Sequence, residues 1–493
     1  MIIVISTVAV GIAAFALLEL RIIFGYWTRV HPKIQPENAS DYDNLDADCL
    51  PTVLIQLPIY NEPAVASALI RAVNALQYPR NRLSVQLLDD STDETTSIIA
   101  TNLTEIDPTG ALFSHITRAD RVGFKAGALQ IGLDQSDAEF VAIFDADFLP
   151  PELFLLQAFA PGSPLENPEI AFLQGRWTFY NQDQNILTRV QSILIDRHFY
   201  IQKPFQKSGR LTLHFNGSGG IWRRSAIEQA GGWSSDTLCE DLDLTYRCAL
   251  MGHFGAYDQS LECPSEIPPS LQAFKMQQRR WAKGSAQCAR KLMTRVVKSP
   301  TLASRIDDVH MLLGYLIHPL LFMFVLIWPW VVFSGVDDHI LLPLQTTLVL
   351  GNFAALFGFW STYRLRDQEP GSWKVALIEV PVALALAVTL MVNNTIAFCA
   401  GLMSDQGTFE RTPKQGGALG NALSYHIATH WVIWVEAVVG FYGIATGVML
   451  FADGHYIWGQ PSLFMGLALL GLLLVQLVPM AAQCWRRKAT IVQ

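Results

Sequence analysis

The chain has 493 residues, 51% hydrophobic and only 16% charged, where soluble proteins carry about a quarter charged residues. That length exceeds one ordinary domain, and the apolar excess points to a membrane protein. The formal net charge of −8 argues against nucleic acid as the main partner.

Met1–Leu18 carries no charge, and Glu19 and Arg21 follow. A cleaved signal peptide wants a basic start and a small-residue cleavage site. Neither is present, so residues 1–27 are read as a retained transmembrane anchor. The acidic stretch Glu37–Asp48 reads as a solvated linker. From there to residue 270, short apolar runs alternate with helical patterns. Thr52–Pro58, Val85–Leu88, Phe140–Phe144 and Ile170–Leu173 read as buried strands, and Glu62–Leu76 and Phe124–Leu133 as helices. This alternation predicts a mostly parallel sheet with helices on both faces. Ligands of such sheets bind at the carboxyl ends of the strands. Three of the four strands end in polar motifs there: Tyr60-Asn61-Glu62, Asp89-Asp90-Ser91-Thr92-Asp93 and Asp145-Ala146-Asp147.

Each motif has a chemical and a plainer reading. Asp89 and Asp90 can accept hydrogen bonds from a base or ribose, whereas Ser91–Glu94 reads as a helix start. Lys125 sits at a helix start, where a lysine opposes the dipole; this suggests a pyrophosphate partner, or a solvated lysine. Asp145 and Asp147 can hold a hard divalent cation together with phosphate oxygens, although Asp-x-Asp alone is often a turn. Phe215-Asn216-Gly217-Ser218-Gly219-Gly220 allows close backbone approach to a ligand, or is an ordinary loop. In Cys239-Glu240-Asp241-Leu242-Asp243, one carboxylate can take a proton from a hydroxyl. The same acids also make a first helical turn, with Arg247 four residues after Asp243. In Gln277-Gln278-Arg279-Arg280-Trp281, an indole can stack on a sugar and a guanidinium can grip phosphate. Residues 271–308 otherwise read as amphipathic interface helices.

Residues 309–493 form a C-terminal membrane region. Val309–Phe333, Ile340–Trp360, Ile427–Phe451 and Ser462–Cys484 are long enough to span. Val375–Gly401 is apolar but carries Glu379, Pro381 and Asn393–Asn394. Nine Lys/Arg and no acid lie between Lys275 and Arg305, which places residues 28–270 in the cytoplasm. Arg411, Lys414 and Arg486–Arg487–Lys488 stay inside only if Val375–Gly401 enters and returns, or lies in the interface. The expected count is therefore five crossings, with a plain sixth helix as the alternative. The seven scattered cysteines show no metal spacing and suit a reducing cytosol.

Taken together, the motifs resemble the processive branch of glycosyltransferase family 2, the cellulose-synthase-like and β-mannan-synthase-like enzymes. The matching residues are Tyr60-Asn61-Glu62, Asp89-Asp90, Lys125-Ala126-Gly127, Asp145-Ala146-Asp147, Phe215-Asn216-Gly217, Glu240-Asp241 and Gln277-x-x-Arg280-Trp281. Phe409-Glu410-Arg411-Thr412-Pro413-Lys414, within 405–416, is similar to the family's gating loop. The resemblance implies an α/β GT-A (Rossmann-like) cytoplasmic domain plus an α-helical transmembrane bundle, in a plasma or inner membrane. It implies Asp241 as catalytic base. It assigns Tyr60, Glu62, Asp89, Asp90, Lys125, Asp145, Gln277 and Arg280 to the donor, and Asn216, Gly217, Glu240 and Trp281 to the acceptor. Asp145 and Asp147 would hold Mg²⁺ or Mn²⁺, and Phe409, Thr412 and Lys414 would gate. Cys239 departs from the family, which often has Thr there. The implied activity is inverting transfer of hexose from UDP-glucose or GDP-mannose to a growing β-glycan. A glycolipid synthase is the alternative, and a transporter with a degenerate domain a third reading that the intact acidic motifs oppose. Partners would be a nucleotide sugar, a glycan or lipid acceptor and membrane lipids.

Overall fold

The computed structural model describes residues 1–31, 48–299, 301–366, 373–404 and 431–491, without the side chains of 373–377 and 478–491. The Glu37–Asp48 linker, apart from Asp48, and the gating-like loop with Phe409, Thr412 and Lys414 lie outside the described residues.

Among the described residues, seven strands form one sheet: β1 Val53–Ile59, β2 Leu83–Asp89, β3 Phe113–Thr117, β4 Phe140–Ile143, β5 Ile170–Phe179, β6 Gly220–Arg223 and β7 Phe254–Ser265. Their order is β3-β2-β1-β4-β6-β5-β7. β3, β2, β1 and β4 run parallel, β6 is antiparallel to both neighbours, and β5 and β7 pair in parallel. The four expected strands are all present, and β3, β6 and β7 are additional. β1 is buried along nearly its whole length, as a central strand with covered faces must be. Val53, Ile55 and Leu57 point into one core; Leu54, with Leu88, Val141 and Ile143, points into the other. Gln56, between them, gives its amide hydrogens to Leu129 O at 3.0 Å and Gln86 Oε1 at 3.2 Å.

Helix α1 is Ile2–Gly25. In the α/β domain lie α2 Ala66–Asn74, α3 Thr95–Ile106, α4 Phe124–Asp134, α5 Phe154–Ala158, α6 Ile186–Arg197, α7 Lys203–Gly209, α8 Arg224–Gln229 and α9 Glu240–Ala249. α10 Leu271–Val296 and α11 Leu302–Leu312 follow, then α12 Ile317–Phe333, α13 Asp338–Arg366, α14 Trp373–Met403, α15 Val432–Ala452 and α16 Tyr456–Ile491. Asn185 and Thr188 start α6 with a reciprocal capping box, and Ser270 caps α10. The six described cysteines are all free thiols.

Among the described residues, six helices are long and apolar enough to cross a membrane, α14 among them. Their packing orders them. Ile5 and Val8 of α1, Trp328 and Val331 of α12, Leu341 of α13, Leu450 of α15 and Trp458 of α16 share one cluster. Trp328 Nε1 donates to Trp458 O at 2.8 Å. The α12–α13 and α15–α16 turns therefore sit at the same end of the bundle as the N-terminus. At the other end, Ile22 and Ile23 of α1 and Leu365 of α13 pack against Ile201 and Phe205 of the α/β domain.

α14 is one unbroken helix of 31 residues, so Val375–Gly401 does not enter and return. It touches the α/β domain near its start and α10 at its end. Glu379 pairs with Arg189 at 3.0 Å. Leu386 and Leu390 pack with Val190, Leu271 and Phe274. Ser404 O, one residue past α14, accepts from Gln287 Nε2 of α10 at 3.1 Å. A helix that meets the domain at one end and α10 at the other lies along it, and α12 and α15 then point the same way.

Candidate active site

The cleft opens at the carboxyl ends of β1, β2 and β4 and encloses about 1260 Å³, including the part open to solvent. After β1 the chain turns through Asn61, which is left-handed at φ 54°. Asn61 N donates to Ser91 Oγ at 2.9 Å and Thr92 N donates to Asn61 Oδ1 at 2.7 Å. These bonds tie the exits of β1 and β2 together and present Tyr60 and Glu62 to the cleft.

Asp89 and Asp90 part company, because successive strand residues face opposite ways. Asp90 lines the cleft. Arg118 grips it with both guanidinium arms, Nε at 2.7 Å from Oδ1 and Nη2 on Oδ2. Arg121 stands 3.8 Å from the same carboxylate, and its guanidinium carbon lies 3.2 Å from the centre of the Tyr60 ring. Asp89 does not line the cleft. It is buried against β3, 2.9 Å from His115 Nε2, and accepts from Ser91 N at 2.9 Å. Burial alone would raise its pKa, but the bonds from His115 and Ser91 outweigh it and hold it down at about 2.

Lys125 is the centre of the site. It is the second residue of α4, whose N-cap, Gly123, takes φ 74°. Its Nζ lies 2.6 Å from Asp145 Oδ1, 2.9 Å from Gly217 O and 3.6 Å from Glu240 Oε1. Burial disfavours its charge, yet Asp145, Glu240 and Asp241 together raise its pKa and keep it a cation. Ser218 Oγ accepts from Asp145 N at 2.8 Å, locking the Asp145 turn to the glycine-rich segment. Asp147 is buried at the cleft wall and accepts from Ser265 Oγ at 3.0 Å. Among the described residues, no three His, Cys, Asp or Glu side chains gather as a metal cage. Two carboxylates at one strand exit are instead a donor set that suits a hard divalent cation with further oxygen ligands.

Glu240 and Asp241 open α9, where the helix dipole favours carboxylates. Asp241 is nevertheless pushed up to about 7, by burial first and the Glu240 charge second, with Lys125 pulling it back. Asp243 is turned away from the cleft and pairs with Arg247 and Lys291, each at 2.8 Å. Glu240 and Asp241 therefore line the cleft, while Asp243 serves the ion pairs behind the helical turn. α10 is clamped onto the start of α9. Gln287 Oε1 accepts from Leu238 N at 2.9 Å, and Gly284 packs so closely on Cys239 that a methyl group there would collide. That clamp brings Gln277, Arg280 and Trp281 into the cleft beside Asp241. Gln277 Oε1 is buried with no hydrogen-bond partner among the described residues. Asn216 and Gly217 complete the wall.

The motifs did not point to Arg121 and Trp177, which line the cleft, or to Arg118, which holds Asp90. Arg118 directly follows β3 and Arg121 lies three residues on; recognising β3 would have placed both at a strand exit. Trp177 Nε1 donates to Ser218 O at 3.0 Å and backs the glycine-rich segment.

Residues 140–363 match the family model described as glycosyl transferase family group 2. This stretch belongs to glycosyl transferase family group 2. The chain is 38% identical over 278 residues to "Glucomannan 4-beta-mannosyltransferase 2" of Arabidopsis thaliana, covering 56% of this chain and 52% of that one. It is 38% identical over 263 residues to "Glucomannan 4-beta-mannosyltransferase 1" of Oryza sativa subsp. japonica, covering 52% and 50%. The chain thus spans about half the length of the curated relatives it matches. Among solved structures, it is similar to "Mannosyltransferase PcManGT from Pyrobaculum calidifontis in complex with GDP-Man and Mn2+", with TM-score 0.48 and 20% identity over 80% of this chain and 100% of that one. The family 2 resemblance seen in the motifs is borne out, and the fold joins an α/β domain with a mixed, largely parallel sheet to helices long and apolar enough to cross a membrane.

Proposed function

We propose that the chain is an inverting hexosyltransferase that moves a sugar from GDP-mannose or UDP-glucose to a growing β-glycan at the cytoplasmic face of a membrane. One observation carries the reading. A single cleft gathers Asp241, Lys125, the Asp145/Asp147 pair and the Gln277–Arg280–Trp281 face of α10. The names of the curated relatives support a mannose donor and a β-glycan product.

In this mechanism Asp241 removes the proton of the acceptor hydroxyl as its oxygen attacks the anomeric carbon. The new carbon–oxygen bond forms as the bond to the diphosphate breaks. One carboxylate base and no carboxylate nucleophile give inversion, hence a β-bond from an α-linked donor. Lys125 and Arg280 neutralise charge on the departing diphosphate. A divalent ion at Asp145 and Asp147, when bound, supplies further stabilisation of that charge. With its pKa raised to about 7, Asp241 is a competent proton acceptor near neutrality.

The bundle supports five crossings, with the N-terminus outside, the α/β domain and C-terminus inside, and α14 along the interface. The basic segment between Lys275 and Arg305 agrees with that orientation.

The test is product analysis. Purified protein in nanodiscs receives radiolabelled GDP-mannose or UDP-glucose, each with and without EDTA. Incorporation from one donor, lost with EDTA and restored by Mn²⁺, is expected. No transfer from either donor would end the reading, and EDTA-resistant transfer would end the metal role.

A further inference from the structure

Behind the cleft wall runs a chain of side-chain hydrogen bonds that can point only one way. Met311 Sδ, on α11, receives Gln202 Nε2 at 2.7 Å. A thioether has no hydrogen to give, so it fixes which end of the Gln202 amide faces it. Gln202 Oε1 is then turned to His198 Nδ1, at 2.9 Å. An amide oxygen only accepts, so Nδ1 carries the imidazole hydrogen. Burial, helped by the nearby Lys203 cation, pushes the His198 pKa down to about 3 and keeps the ring neutral. Its Nε2 is therefore a bare lone pair, 3.1 Å from Asn216 Nδ2, and accepts from it.

This leaves Asn216 Oδ1. The atom is buried and has no hydrogen-bond partner among the described residues, in a side chain that lines the cleft. Buried polar atoms are paired as a rule, so an unpaired one at a binding wall points to a ligand donor. His198 also opens a short π-helical turn, His198–Gln202. Such turns are rare and concentrate at functional sites.

We propose that His198 is a positioning residue: it turns the Asn216 amide so that Oδ1 receives the hydrogen of an acceptor-sugar hydroxyl. The proposal rests on the glycosyl-transfer reading above. It assigns the ligand group chemically. A carbonyl oxygen cannot donate, so the partner must bring a hydrogen, as a sugar O–H does and an ionised phosphate or carboxylate does not. The acceptor side is favoured because the next residue, Gly217, adjoins the base: a Cβ there would stand 3.2 Å from Asp241 Oδ2.

Two measurements on the full chain in nanodiscs test it. The first is ¹⁵N-histidine NMR, with His198 assigned by its loss in His198→Gln. The Nδ1–H tautomer is expected, unchanged between about pH 5 and about pH 8. In Asn216→Asp, the ring should become doubly protonated, because a carboxylate oxygen replaces the amide donor at Nε2. An Nε2–H tautomer, or titration of the wild-type ring in that range, overturns the proposal whether or not the protein transfers sugar. The second is steady-state kinetics with GDP-mannose or UDP-glucose and β-1,4-linked mannotetraose or cellotetraose. His198→Phe should raise the acceptor KM about tenfold, with the donor KM and kcat within about twofold. His198→Gln can still accept from Asn216 and donate to Gln202, so it should stay within about twofold of wild type throughout. Equal losses in the two variants, or a loss confined to the donor KM, overturn it. Absence of wild-type transfer from either donor would instead remove the functional reading, and the NMR result alone would then decide the role of His198.

Discussion

A methyl group placed on Gly217 would stand 3.2 Å from Asp241 Oδ2, with Lys125 Nζ 3.7 Å away. The glycine-rich segment is thus folded directly onto the Asp241 carboxylate and the neighbouring Lys125. Gly217 also has φ 83°, a region that side-chain-bearing residues rarely enter. Gly217→Ala should therefore lower kcat at least about tenfold, through a strained loop pressed on Asp241. Circular dichroism and nucleotide binding should remain near wild type. Full activity in Gly217→Ala would show that the close approach has no catalytic consequence.

Asp241→Asn should lower transfer by at least about 100-fold while leaving nucleoside diphosphate binding in place. Wild-type activity should fall as the pH drops through about 7, because the base must be ionised. Glu240→Gln removes the like charge and should move that acid limb downward. Stability should go the other way. The folded pKa of Asp241 is raised above its unfolded value, so the folded state holds the proton more tightly. The resulting stabilisation is present at low pH and is lost as the pH rises through about 7. Asp241→Asn should consequently raise Tm at about pH 8 more than at about pH 5. A Tm difference independent of pH would contradict the buried, raised carboxylate.

Neighbouring Asp89 and Asp90 should give opposite phenotypes. Asp90→Ala removes a cleft carboxylate and frees Arg118, so it should raise the donor KM about tenfold or more with a small change in Tm. Asp89→Asn breaks the buried link between β2 and β3, so it should lower Tm and leave the donor KM of the folded fraction nearly unchanged. Its folded pKa is depressed, so the stability it contributes is present above the usual carboxylate range and is lost as the pH falls toward about 2. Thermal melts and donor titrations on both variants separate the two roles.

This pair also shows how far sequence reasoning reaches. The strand-exit motifs were legible because runs such as Phe140–Phe144 are continuously apolar and are followed at once by acids. Which of Asp89 and Asp90 faces the cleft was not, since that depends on the register of β2 and on His115 across from it. β3 escaped notice because Phe113-Ser114-His115-Ile116-Thr117 is an edge strand with little apolar patterning, and Arg118 and Arg121 were missed with it. β7 carries Asp258 and Glu262 and breaks register with β5 near Gly175, which hides its period. Asp243 and Asp241 looked alike in sequence. Only the packing of α10 showed Lys291 claiming one and leaving the other to the cleft.

The topology has a direct chemical test. The turns after α12 and α15 share one end of the bundle. Asp337→Cys and Asp453→Cys should therefore both react with a membrane-impermeant maleimide in sealed cells, while Lys298→Cys should not. If α14 crossed the membrane, Asp453→Cys and Asp337→Cys would lie on opposite sides, and only one of them would label.

Product length should depend on Trp281. Its ring lines the cleft from α10, one turn after Gln277 and next to Arg280. An indole offers apolar contact to a pyranose face while leaving the hydroxyls free for Asp241 and Gln277. Such a platform lets a chain advance one unit after each transfer, because stacking is not locked by many directional bonds. A lipid head group would need no platform of this kind. The expected product is an alkali-stable, lipid-free polymer degraded by a β-glycanase. Trp281→Ala should shorten or abolish it, with donor hydrolysis in the absence of acceptor changed less than about threefold, since Lys125 and Arg280, the residues proposed to hold the diphosphate, are left in place. Trp281→Phe should restore part of the length by restoring a stacking face. A wild-type product that partitions wholly into chloroform–methanol and carries one to a few sugars would instead make this cleft the site of a glycolipid synthase.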